Sequence, residues 1–201
     1  DEVTRRFMAA QDREADWSPL ASDSDAEYAE HYSINLSELE PLAACPNSPD
    51  NVKPVRELTG IKVDQVAIGS CTNSSFADMT KTASVLKGHK IADSVSLGIS
   101  PGSRKVLSMM AESGALTDMI DAGARILECA CGPCIGMGCS PNSKGVSLRT
   151  FNRNFLGRSG TKDGQVYLVS PETAAASALT GYITDPTTLP PIAQPQQPDR
   201  F

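Results

Sequence analysis

Apolar and polar positions fall into a regular alternation from about residue 61 onward. Residues 63–68 form a short β-rich run closed by Gly69, and Ser75 is placed to cap a helix in which Phe76, Met79, Ala83 and Leu86 recur at three- and four-residue spacing before Gly88. The same unit repeats: a strand near 95–99, a helix over 104–112 stopped by Gly114, a shorter helix over 117–122 stopped by Gly123, and a strand near 125–128. Strands near 145–149 and 165–169 follow, then a helix opened by Ser170-Pro171-Glu172 and closed near Gly181. This rhythm predicts an α/β fold, a parallel sheet with helices on both faces in three αβα layers, with ligands gathered at the carboxyl ends of the strands.

The N-terminal part is less regular. Residues 1–13 read as a helix with Val3, Phe7, Met8 and Ala10 on one face, 18–30 are polar and acidic without periodicity, and 32–36 alternate like a short strand. Between 40 and 55, Pro41, Pro46, Pro49 and Pro54 interrupt the chain too often for a helix or a central strand, which predicts an irregular crossing segment. The tail carries Pro186, Pro190, Pro191, Pro195 and Pro198 and reads as a semi-rigid linker. The expected organisation is therefore an extension over 1–32 that ends a preceding element, an α/β domain over 33–185, and a Pro-rich linker over 186–201.

Composition narrows the functional classes. A 201-residue chain with 40% hydrophobic residues can bury a core. No run approaches the roughly 18 apolar residues of a membrane span, and no basic stretch precedes an apolar one, so a soluble protein with no export signal and no membrane partner is expected. A net charge of -6 argues against an extended nucleic-acid surface. Six cysteines could form a secreted disulfide framework, but such frameworks serve small domains that lack a core. A reducing cytoplasm fits better.

Three of those cysteines stand in turn sequences: Cys71 in Gly69-Ser70-Cys71-Thr72-Asn73, and the pair in Cys131-Gly132-Pro133-Cys134. Gly, Pro, Ser and Asn set tight backbone geometry and leave amide N–H groups free to point at sulfur or an anion. By itself the C-x-x-C turn is compatible with zinc, an iron–sulfur cluster or a redox disulfide. Three thiolates would leave a metal position open, which favours catalysis, whereas Cys129 and Cys139 could instead complete a local zinc shell. Cys129 ends an apolar strand and Cys45 lies apart, so both read as structural thiols. Arg153 and Arg158, five residues apart around a turn, suit bidentate recognition of a substrate with several carboxylates, although exposed arginines more often form surface ion pairs. His31, His89 and Trp17 read as surface or packing residues.

Gly69-Ser70-Cys71-Thr72-Asn73-Ser74, Ala130-Cys131-Gly132-Pro133-Cys134-Ile135-Gly136, and Asn152-Arg153-Asn154-Phe155 with Gly157-Arg158 resemble, in that order, the signatures of the aconitase family. Leu39-Glu40-Pro41-Leu42, Ser48-Pro49-Asp50-Asn51-Val52 and Val169-Ser170-Pro171-Glu172 resemble aconitase itself more than the isopropylmalate or homoaconitate dehydratases. The resemblance spans about 33–185 and implies a 4Fe-4S cluster on Cys71, Cys131 and Cys134, with Arg153 and Arg158 on substrate carboxylates and Asn152 close to the cluster. It further implies a hydro-lyase of the tricarboxylic acid cycle that isomerises citrate and isocitrate through cis-aconitate, with a tricarboxylate substrate. The acid–base residues would come from other domains of the same enzyme, so none is assignable here and the chain alone is expected to be inactive and to bind its cluster weakly. Some family members bind RNA without the cluster, a role the negative charge disfavours.

Overall fold

In the computed structural model, residues 1–190 are described, and they fall into two compact units: Asp1–Leu39 and one beginning at Glu40. The first unit holds α1 (Glu2–Ala9), capped by the Asp1 carboxylate accepting from the Thr4 N–H at 2.9 Å, and two 3-10 turns, Glu14–Asp16 and Leu36–Glu38. Arg5 pairs with Glu2 and Glu14. No strand forms over 32–36: Tyr32, Ile34 and Leu36 are exposed, and alternation without a neighbouring strand to receive it does not make one. Tyr28 and His31 stack edge to face at 5.4 Å.

The second unit is built on a seven-stranded sheet. Its strands are β1 (Leu42–Ala44), β2 (Val52–Pro54), β3 (Gln65–Gly69), β4 (Ser96–Ser100), β5 (Arg125–Ile126), β6 (Val146–Arg149) and β7 (Gln165–Leu168), in the order β2-β1-β7-β6-β3-β4-β5. From β7 to β5 every pairing is parallel. The segment expected to cross irregularly is instead an antiparallel pair, β1 with β2, docked on β7. Its prolines escape the usual penalty because Pro54 ends the edge strand, Pro41 precedes β1, and Pro46 and Pro49 lie in the connection.

The helices are α2 (Phe76–Leu86), α3 (Arg104–Ser113), α4 (Ala115–Ala122) and α5 (Pro171–Thr180). Ser75 and Asp78 form a reciprocal capping box at the start of α2, and Ser170 with Pro171 opens α5. Met79, Ala83 and Leu86 of α2 and Ala174, Ala175 and Ala178 of α5 share one buried cluster with Val66, Ile68, Leu97, Ile99 and Leu148 of the sheet. The opposite sheet face carries Gln65, Ala67, Ser147 and Arg149, all buried. It is covered by the β5–β6 connection, which includes the 3-10 turn Gly132–Ile135. The layers are those of a three-layer α/β fold. After β3 the chain runs outward through β4 and β5, then returns to the far side of β3 for β6. That reversal places the loops after β3, β5 and β6 at the carboxyl ends of the strands, around a topological switch point. The expected linker begins with a 3-10 turn, Pro186–Thr188, and its remainder, 191–201, lies outside the described residues.

Candidate functional site

The loop leaving β3 turns at once. Gly69 has φ 112°, a conformation L side chains rarely adopt, and an added Cβ would sit 2.0 Å from the Ser100 carbonyl oxygen. Ser70, also at positive φ, donates its N–H to that oxygen at 2.8 Å. Thr150, just past β6, holds the turn from the other side: its hydroxyl accepts from the Gly69 N–H at 2.8 Å, and its carbonyl accepts from the Asn73 side chain at 2.6 Å. Cys71 is thereby presented outward from the sheet's end.

The second cysteine turn is tied to the same strand ends. Ser100 donates its hydroxyl to the Glu128 carbonyl at 3.1 Å, which anchors the segment leading to Cys131. Arg158 donates to the Cys134 carbonyl at 2.9 Å and Arg149 to the Pro133 carbonyl at 2.6 Å, so two guanidiniums hold consecutive carbonyls of the turn.

The outcome is convergence. The sulfurs of Cys71, Cys131 and Cys134 lie within 4.8 Å of one another, with Cys71 and Cys131 exposed and Cys134 buried. Among the described residues these three are the donors close enough to share a metal; Cys129 and Cys139 stand outside the group. Cys129 does line a cavity of about 160 Å³ with Ser70, Cys71 and Cys131. Cys139 is buried against Ala67 and Phe151. All six cysteines are free thiols.

Hydroxyls adjoin the sulfurs. Ser70 Oγ is 2.8 Å from Cys134 Sγ, and Thr72 Oγ1 is 3.7 Å from Cys71 Sγ. The Thr72 contact lowers the Cys71 thiol below its ordinary value despite slight desolvation, whereas burial pushes Cys134 up against the relief from Ser70. Burial likewise raises Cys139. Thiolate donors select soft metals and iron–sulfur clusters, and three convergent thiols short of a closed shell fit a group that keeps one position open.

The arginine loop divides sharply. Arg158 reaches the cysteine turn, Asn152 and Arg153 are exposed on the same loop, and Asn154 between them is 1% exposed. Asn154 is a structural brace: its amide donates to the carbonyls of Cys45 at 2.7 Å and Val166 at 3.2 Å. Among the described residues neither Arg153 nor Arg158 is salt-bridged to a carboxylate. His31 and His89 are exposed and Trp17 is half-buried.

Sequence reasoning passed over Ser70, Ser100, Thr150 and above all Arg149, which is fully buried behind the cysteine turn. The available signal was the order Val-Ser-Leu-Arg in β6, which places two polar residues on one face of a strand at the centre of the sheet.

Comparison with known proteins adds a family. The model of the aconitase family (aconitate hydratase) matches residues 52–181. Among curated relatives, 3-isopropylmalate dehydratase large subunit 2 of Archaeoglobus fulgidus is 41% identical over 187 residues, covering 92% of this chain and 45% of that protein. The probable methanogen homoaconitase large subunit of Methanosarcina mazei is 47% identical over 173 residues, 86% of this chain and 44% of that protein. A 3-isopropylmalate dehydratase large subunit 1 from Thermotoga maritima is 43% identical over 190 residues, 92% of this chain and 45% of that protein. The chain spans less than half the length of these relatives.

Proposed function

The chain belongs to the aconitase family, and from that premise we propose that it carries the iron–sulfur centre of a hydro-lyase that reversibly dehydrates a hydroxylated di- or tricarboxylate. The observation that carries this reading is the convergence of Cys71, Cys131 and Cys134 at strand ends, with no fourth thiol in their group among the described residues. Those three would hold the cluster. When bound, such a cluster supplies one iron without a protein ligand, a Lewis acid that polarises a substrate hydroxyl toward departure as water.

The remaining work falls to this chain's own side chains. Arg158 spends one N–H on the Cys134 carbonyl, which fixes its plane beside the thiols and leaves the rest of a five-donor fork for a carboxylate. Arg153, exposed on the same loop, offers a second cation of the same kind, and Asn152 a neutral hydrogen-bonding group. Ser70 and Thr72 place hydroxyls from which Cys134 and Cys71 can accept hydrogen bonds as thiolates. The groups that move protons during turnover belong, on this reading, to other parts of the enzyme. Relatives named as large subunits support a second subunit as partner.

Within the family the substrate reading moves. Residues 39–42, 48–52 and 169–172 had favoured citrate and the tricarboxylic acid cycle, but the relatives are named as isopropylmalate dehydratases and a homoaconitase. We therefore place the substrate in the 3-isopropylmalate and homoaconitate class. Free thiols and a cluster fit a reducing, cytoplasmic setting.

Anaerobic reconstitution with iron and sulfide tests the cluster. Wild type should take up about four of each per chain, and Cys71→Ser should lose most of this. Zinc uptake without sulfide would overturn the reading. Adding 3-isopropylmalate, homocitrate or citrate to the reduced, cluster-loaded chain and recording its paramagnetic resonance tests the substrate class; a response to citrate alone would return the reading to aconitase.

A further inference from the structure

Arg149 is fully buried on the sheet face beneath the cysteine turn, and its guanidinium stays charged in any folded protein at neutral pH. Its four hydrogen bonds go to neutral groups: Ser147 Oγ at 3.1 Å, Gln65 Oε1 at 2.9 Å, and the carbonyls of Pro133 at 2.6 Å and Cys139 at 2.5 Å. The Phe151 ring lies 5.4 Å from its central carbon. Among the described residues no carboxylate is paired with it. A desolvated cation satisfied only by dipoles is costly unless an anion stands nearby. The anionic group this fold can offer is the thiolate site: Pro133 immediately precedes Cys134, and the two clamped carbonyls flank the turn that carries it.

We infer that Arg149 is a positioning residue and counter-cation for the cluster site: it pins both ends of the Cys134 turn to the sheet, and its charge favours the more negative, reduced state of a cluster held there. The inference rests on the cluster reading above. A merely structural clamp would fix the turn without biasing the oxidation state, so the two roles separate by charge.

Gln65→Glu puts a carboxylate where the guanidinium already bonds and neutralises the cation in place. Arg149→Lys keeps the charge but cannot span both carbonyls, and Arg149→Gln removes the charge. After anaerobic reconstitution with iron and sulfide, each protein is titrated with dithionite while the reduced-cluster resonance is recorded. Gln65→Glu and Arg149→Gln should shift the reduction equilibrium about tenfold toward the oxidised cluster, about 59 mV for one electron. Arg149→Lys should bind less iron at a potential close to wild type. Wild type that takes up no sulfide overturns the cluster reading; wild type and Gln65→Glu clusters of equal potential overturn the counter-cation alone. Should Gln65→Glu fail to fold by circular dichroism, Arg149→Gln against Arg149→Lys decides the same point, and equal potentials in that pair overturn the inference.

Discussion

Gly69→Ala tests how the first cysteine is delivered. The new Cβ would meet the Ser100 oxygen at 2.0 Å, against a working minimum near 3.0 Å, so the ends of β3 and β4 must part by about 1 Å. The bond from Ser70 N–H to the same oxygen, now 2.8 Å, would stretch to about 3.8 Å and be lost. A buried polar pair left unmade costs about 1–3 kcal/mol, and a side chain in left-handed backbone adds about 1–2 kcal/mol, for a total of about 2–5 kcal/mol. Gly60 supplies the control: its φ is +89°, yet nothing lies within 4 Å of the position its Cβ would take. Gly60→Ala should therefore cost the backbone contribution alone, about 1–2 kcal/mol. With a urea slope near ~2 kcal/mol/M, the midpoint of the metal-free chain should fall by about 1–2.5 M for Gly69→Ala and about 0.5–1 M for Gly60→Ala. Iron content after reconstitution should drop only in Gly69→Ala, because Ser100 also anchors the Glu128 segment that leads to Cys131. Equal midpoints and equal iron in the two variants would refute the reasoning.

Asn154→Ala removes the amide shared by the Cys45 and Val166 carbonyls and should destabilise the chain by about 2–4 kcal/mol; a calorimetric midpoint unchanged from wild type would contradict its bracing role. Cys139→Ala should leave iron and sulfide content at the wild-type level while costing about 1 kcal/mol of packing, and lost metal there would revive a zinc shell. Burial pushes the Cys45 and Cys139 thiols above the ordinary 9.0, and Tyr167 is raised for the same reason. These folded-state values lie above the unfolded ones, so their contribution is fully present below about pH 9 and is lost as pH rises through the raised values. Urea midpoints of the metal-free chain should therefore fall between pH 8 and pH 10, and fall less in the Cys45→Ala, Cys139→Ala double variant. A midpoint that climbs over that interval would reverse the sign.

What the sequence made legible was local. The Ser75 and Asp78 capping box, the Ser170-Pro171 start and the glycine stops at 114, 123 and 181 are short-range signals, and the helices begin and end beside them. The cysteine turns stood out for a similar reason, since Cys71, Cys131 and Cys134 are set among glycine, proline and serine rather than in apolar runs. The β1 and β2 pair escaped because three-residue strands with flanking prolines carry no periodicity, and what makes them strands is their pairing with each other and the docking of β1 on β7, more than a hundred residues along the chain.

Arg149 shows why a polar residue in a strand is easy to misread. A strand of the form Val-Ser-Leu-Arg ordinarily has one face on a core and one in water, yet β6 lies between β7 and β3, and both of its faces are buried. Its second face is polar because what covers it is backbone: a glycine- and proline-containing turn presents carbonyls to the sheet and few apolar side chains. Those carbonyls need donors, and a parallel sheet has already spent its own N–H groups on neighbouring strands. Arg149 supplies the donors, while Gln65 and Ser147 complete its own shell, so the alternation that looks like a solvent-facing strand is the imprint of the cysteine turn on the sheet beneath it. On the cluster reading proposed above, the same requirement ties structure to chemistry: a turn that keeps its sulfurs for a metal is held to the sheet through its main chain, and Arg149 does so at the Pro133 and Cys139 carbonyls.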